Sequence, residues 1–161
     1  MGAGTVARAD VVRGFWDAQA SGDRDAAHGV LAEDVEWTVV GRHSAVARTY
    51  RGRTEFFGVL IARLGEVFEP GSARLRVRGI YEDVEQDTVV THLRETARTR
   101  TGLDFDNEIV TIMTVRDGAI RTCLEFMDLH EVRRTFGEET ATHADHGTDA
   151  LSGPENQGAT P

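Results

Sequence analysis

Four stretches of alternating polarity follow one another through the second half of the chain, and helical patterns precede them instead of being interleaved with them. Val89, Thr91, Leu93 and Glu95 alternate with Val90, His92, Arg94 and Thr96. Residues 103–115 and 119–127 keep the same period of two, and an earlier run places Leu75, Val77 and Tyr81 on one face. Thr101-Gly102 separates the second run from the third, and Asp117-Gly118, a strong two-residue hairpin signal, separates the third from the fourth. Four strands in sequence need an apolar partner layer, and the helices before them carry it. The order predicts an α+β domain with helices packed on one face of a curved antiparallel sheet.

The first half supplies those helices. Val6, Val11, Val12, Phe15 and Trp16 recur at helical spacing up to the stop at Ser21-Gly22. Asp23 can cap a short second helix with Ala26, Ala27, Val30 and Leu31, after which Val35, Trp37 and Val39 alternate with Glu36 and Thr38 in a first strand. Residues 42–53 read as a loop. Thr54 can cap a third helix whose Phe56, Phe57, Leu60, Ile61, Leu64 and Val67 form a broad apolar face, ended by Glu69-Pro70-Gly71. A short helix over 129–136 closes the domain.

Composition narrows the chemistry. The 161 residues are 40% hydrophobic, which suits one core and not two. All 18 basic residues are arginine, so Schiff-base and phosphate-loop lysine chemistry are excluded. A formal charge of −9 disfavours nucleic acid as a partner. The single cysteine, Cys123, rules out an intrachain disulfide and a cysteine-based zinc site, and the six histidines lack the HExxH spacing, so neither a metal nor another cofactor is expected. No run reaches the ~18 apolar residues of a membrane helix, and Met1-Gly2-Ala3-Gly4-Thr5 opens no secretory pattern, so a cytoplasmic protein without a membrane partner is expected. Residues 137–161, acidic, free of arginine and poor in large aliphatic residues, read as a disordered tail after a domain spanning 5–136. The His143 and His146 pair within it reads as solvated tail.

The element order, with "GDRDAAHGVLAEDVEW" at 22–37, "YRGRTEFF" at 50–57 and "DGAIRTCLEFMD" at 117–128, resembles the SnoaL-like branch of the NTF2-like superfamily. The resemblance implies a cone, with a strongly curved antiparallel sheet wrapped around helices and an internal pocket. It also implies a homodimer formed through the outer sheet face. The superfamily includes ketosteroid isomerases, polyketide cyclases, epoxide hydrolases and silent binding domains, so fold alone does not choose among them.

Residue by residue, the ketosteroid isomerase positions hold Phe15, Thr38 and Thr111, none of which can serve as that mechanism's donor or base. The limonene-epoxide-hydrolase pattern matches in part, with Arg94 and Glu125 present, Thr96 in place of the near carboxylate, and Trp37 and Val39 where water-holding groups belong. The cyclase pattern maps its acid/base residue to the Glu125–Asp128 neighbourhood.

Glu125, set between Leu124 and Phe126, is therefore the leading acid/base candidate; a solvated strand end or a salt bridge to Arg94 is its plain alternative. Arg94 would orient it or bind an oxyanion, and His92 would assist. Asp128 either joins them or caps the last helix. Phe15, Trp16, Trp37, Tyr50, Phe56, Tyr81 and Met113 are candidates for an apolar pocket wall, His43 for the mouth, and Asn107 for a polar contact or a structural hydrogen bond. Both rows of residues 88–96 have mixed polarity and a one-residue slip exchanges them, so either the His92 row or the Val89 row lines the pocket. The expected activity is cofactor-independent cyclisation or isomerisation of a mostly apolar, polyketide-like intermediate in secondary metabolism. A non-catalytic binding or dimerisation domain and water addition to an epoxide are the alternatives.

Overall fold

A computed structural model describes residues 7–137; residues 138–161, which hold most of the expected tail, and residues 1–6 lie outside it. Helix α1 (Arg8–Ser21) ends at Gly22, whose φ of 74° lets the chain turn sharply and leads into the Asp23 cap of α2 (Arg24–Val30). The Asp23 side chain accepts from the Ala26 amide, as its position predicts. Strand β1 (Leu31–Val39) follows. The stretch expected to be loop contains a further strand, β2 (Thr49–Arg51), paired antiparallel to β1. Three residues are too few for an alternation signal, which is why the sequence does not disclose it.

The third helical region starts earlier than Thr54. It runs as α3 (Gly52–Glu55), a π-helical stretch (Phe56–Ile61) and α4 (Ala62–Val67). Thr54 is not its cap; Glu55 instead reaches back to accept the Arg51 amide at 3.0 Å. Gly52 has φ 72°, and a Cβ there would sit 3.2 Å from the Glu33 carbonyl, so the turn into this helix requires glycine. The π-helical stretch carries Phe56, Phe57 and Leu60 into the interior.

Strands β3 (Arg74–Asp83), β4 (Thr88–Arg98), β5 (Asp104–Arg116) and β6 (Ala119–Met127) form the expected meander, and α5 (Leu129–Phe136) closes it. The sheet order is β2-β1-β6-β5-β4-β3. It is strongly curved and unclosed, and antiparallel except for one junction, where β1 and β6 run parallel.

Register decides what faces inward. A bulge between Val77 and Gly79 shifts β3 by one residue against β4, so Ile80 pairs with Thr91 while Tyr81 pairs with Val90. Tyr81 is therefore 62% exposed and lies on the outer face with its ring over Gly79, not in a pocket wall as its spacing from Val77 predicts. On β4 the Val89, Thr91, Leu93 row faces the core and Glu95 continues it; His92 and Arg94 face out. On β6, Cys123 and Glu125 point in, and the flanking Leu124 and Phe126 are 43% and 41% exposed.

Two aromatic groups anchor the interior. Phe15, Trp16, Trp37, Phe56 and Phe57 pack together near α1 and β1, with centroid separations from 4.7 to 6.2 Å. Phe68, Phe105 and Phe136 form a second group at separations of 5.2 to 5.9 Å. Burying each such ring stabilises the fold by roughly 1.5–3 kcal/mol.

Candidate functional site

Between these aromatic groups lies a cavity of about 420 Å³. Trp16, Trp37 and Phe56 of the first group line it, as do all three phenylalanines of the second, with Leu60, Leu93, Ile109 and Met127 among the aliphatic walls. Its exposed lining residues, Ala20 at the end of α1 and Pro70, Gly71 and Ala73 before β3, mark the opening.

Two carboxyl groups reach into this mostly apolar space, Glu125 from β6 and Glu95 from β4; a third glutamate, Glu69, and Gln19 also line it. Glu125 is 8% exposed, and its Oε2 accepts a 2.7 Å hydrogen bond from Trp37 Nε1. Burial pushes its pKa up to about 7, partly offset by the tryptophan N–H, which favours the ionised form. Glu95 is also pushed up to about 7, first by burial and then by repulsion from Glu125. Among the described residues, no arginine or histidine lines the cavity. Burial, with Glu125 adding to it, raises the neighbouring Cys123 thiol well above its usual range, so it is not a nucleophile at neutral pH.

Two uncharged hydroxyls accompany the acids. Thr111, beside Glu125 in the β5–β6 register, is fully buried with no hydrogen-bond partner for its Oγ1. Thr91, its neighbour on β4, accepts from Trp16 Nε1 at 3.4 Å.

The expected grouping of Glu125 with Arg94 and His92 does not form. Arg94 is 41% exposed and donates from Nε to Asp106 at 2.7 Å; His92 is 42% exposed and pairs with Glu108 at 2.7 Å. Both sit on the opposite side of the sheet from Glu125, because alternate strand residues point to opposite faces. Asp128 is exposed and caps α5 by accepting from the His130 amide at 2.8 Å. Asn107 fixes the same corner, donating to the Asp128 carbonyl at 3.1 Å and accepting from its amide at 2.9 Å.

Of the aromatic candidates, Trp16, Trp37 and Phe56 line the cavity, whereas Phe15 and Met113 are buried behind it. Tyr50 is buried with its hydroxyl donating to the Val46 carbonyl at 2.8 Å. His43 occupies an exposed turn with φ 57°, away from the cavity opening. Glu95 escaped sequence reasoning. Its signal was a carboxylate in the more apolar of the two β4 rows, the period-two row of Val89, Thr91, Leu93, Glu95 and Ala97.

The profile of the SnoaL-like domain matches residues 12–122, more than half of the chain. The chain belongs to the SnoaL-like family. This family lies within a superfamily that includes isomerases, cyclases and epoxide hydrolases, and its fold is one typical of small-molecule binding. No curated protein sequence matches at a significant level.

Solved structures share the fold of this SnoaL-like chain. Bal32a, from a soil-derived mobile gene cassette, is 23% identical over 80% of this chain and 95% of its own, with a TM-score of 0.71. An NTF2-like protein from Burkholderia thailandensis is 23% identical over 81% and 98%, with a TM-score of 0.72. An LEH-like epoxide hydrolase from M. tuberculosis is 19% identical over 80% and 88%, with a TM-score of 0.63. At these identities the likeness shows the fold. Among the described residues, no helix is long and apolar enough to cross a membrane.

Proposed function

We propose that this SnoaL-like protein is an acid/base enzyme that cyclises or isomerises a mostly apolar small molecule, with Glu125 as the proton-transferring group. The observation that carries this reading is the pair of carboxyls, Glu125 and Glu95, in one mostly apolar cavity. Near pH 7 such a pair shares its protons. Glu125, which accepts from Trp37, is the better placed of the two to be ionised and to take a carbon-bound proton. Glu95 then holds the remaining proton and can donate a hydrogen bond to the oxygen of the developing enolate. Returning the proton to another carbon gives isomerisation; attack of the enolate on a second carbonyl of the same molecule gives cyclisation. A polyketide-like intermediate fits both routes, because it brings its own reacting carbons and the cavity supplies proximity.

The test needs no natural substrate. A bicyclic aryl ketone such as tetralone, incubated with the protein in deuterium oxide, exchanges its α-protons if a base in the cavity removes them. Saturable acceleration is expected, Glu125→Gln should lower it by roughly 10²–10⁴-fold, and Arg94→Ala should leave it unchanged. Acceleration that survives Glu125→Gln, or none in the wild type, overturns the reading. Oxygen-18 incorporation from labelled water into an epoxide probe would instead favour water addition by the same pair.

A homodimer is proposed on separate grounds. Val110, Ile112, Leu124 and Phe126 are adjacent on the outer sheet face and 37% to 43% exposed, an apolar patch that a second copy would cover.

A further inference from the structure

We infer that this cavity prefers a ligand with a single positive charge, a protonated or quaternary amine on an apolar body, over the neutral molecule of the same shape, and that it disfavours anions. The inference rests on the reading above that the cavity is where a small molecule binds, but not on which proton moves there.

Glu125 is more than nine-tenths buried and lines the cavity, and among the described residues only its Oε2 has a hydrogen-bond partner. Glu95, half-buried, lines the same space and has no hydrogen-bond partner among the described residues. A carboxylate taken out of water is costly unless a cation or several donors compensate it. One indole N–H is a partial compensation. Buried acids elsewhere in proteins meet an arginine, lysine or metal; here, among the described residues, no arginine pairs with Glu125 or Glu95. Arg94 holds Asp106, and Arg98 holds the rim residue Glu69 at 3.9 Å and Asp104 at 3.1 Å.

The walls suit the missing cation. Trp16, Trp37 and Phe56 present aromatic surface to the cavity, and the faces of such rings attract ammonium groups, tryptophan most strongly. A carboxylate- or phosphate-bearing ligand would add a like charge to a site with none to balance it. A neutral ligand would leave Glu125 as poorly compensated as before. With one proton shared by the two acids the site carries about one negative charge, which a monocation matches.

The other titratable groups around the pair do not supply a competing positive charge. Cys123 beside Glu125 on β6 and Tyr50 on β2 are both buried and pushed up by that burial, so both are neutral near pH 7. Arg48 lies over the Tyr50 ring, 4.7 Å from its centroid, and pairs with Glu55. Glu69 is at the rim and pairs with Arg98.

The test uses benzyltrimethylammonium, whose charge is independent of pH, against its neutral isostere neopentylbenzene. The readout is intrinsic fluorescence, since the chain has two tryptophans and both line the cavity. At about pH 8.5 the cation should bind at least about tenfold more tightly than the isostere, and that preference should fall by about tenfold or more at about pH 5.5, where both acids are protonated. Glu125→Gln should reduce the preference, and Glu125→Gln combined with Glu95→Gln should abolish it. Isostere binding that equals or exceeds cation binding at the higher pH overturns the charge assignment while the cavity reading stands. If neither probe perturbs the tryptophans, both fall. A preference that is indifferent to pH, or that survives the double substitution, places the charge elsewhere and overturns the inference; the pH series on the wild-type protein decides the matter even if the variants do not fold.

Discussion

A glutamate in an apolar cavity works against the fold that holds it. Glu95 and Glu125 both titrate near pH 7 in the folded protein and near the ordinary carboxylate value of 4.5 when unfolded. Between those values the folded state binds more protons than the unfolded state, so stability falls as pH rises from 4.5 to 7 and levels off above. The shift corresponds to on the order of 3 kcal/mol per group at most, and the pair's repulsion makes the two contributions interdependent. Glu125→Gln keeps an acceptor for Trp37 Nε1 while removing the charge. It should therefore raise the melting temperature at pH 8 and flatten the decline between pH 5 and pH 8, measured by thermal unfolding alongside the wild type. An unchanged pH profile would mean that Glu125 is solvated as freely in the folded state as in the unfolded one. The same substitution is expected to destroy activity, so stability and function oppose each other at this residue. Glu125 is legible in the sequence because an acid between two large apolar residues on a strand stands out. Glu95 is not, because choosing between the two rows of β4 turns on a one-residue phase that mixed polarity leaves open.

Elements carry the site through their corners. Asn107, on β5, holds both the amide and the carbonyl of Asp128, the residue at which β6 gives way to α5. That pin orients the end of β6 three residues beyond Glu125 and leads into α5, whose Phe136 closes one wall of the cavity. Asn107→Ala leaves two partly buried backbone groups without partners and should cost about 1–3 kcal/mol, read from the midpoint of a denaturant titration. A cost indistinguishable from zero would show that water replaces the amide at that corner. The meander, its turns and the last helix were legible from periodicity and from Asp117-Gly118. Three features were not. The β3 bulge that moves Tyr81 outward is a register change without a residue signature, β2 is too short to show a period, and the π-helical stretch is a choice between backbone ladders that the same apolar spacing permits.

At the scale of the whole molecule, the sheet inverts the usual sorting on its last strand, with an acid turned inward and leucine and phenylalanine turned outward. Both halves of that inversion have a use if the inner face binds a ligand and the outer face a second copy. The dimer proposal predicts twice the monomer mass by light scattering at micromolar concentration, and Phe126→Glu should shift it to the monomer without altering the cavity. A monomeric wild type would end it. The expected general architecture was readable because helices precede the strands. The partner of β1 was not, since nothing local in either strand announces that β1 and β6 lie side by side and parallel.

That junction also governs when the site can come into being. Trp37 and Glu125 are 88 residues apart in sequence and meet only across the β1–β6 seam. The helices and the β3–β5 hairpins can form from contacts close along the chain, but closing the seam requires a long loop to be ordered first, which makes it a slow step. During synthesis the nascent protein therefore lacks the Trp37–Glu125 pair until its final strand has left the ribosome and docked against its first. Exchange catalysis, followed in time during refolding, should consequently lag behind the return of helical signal.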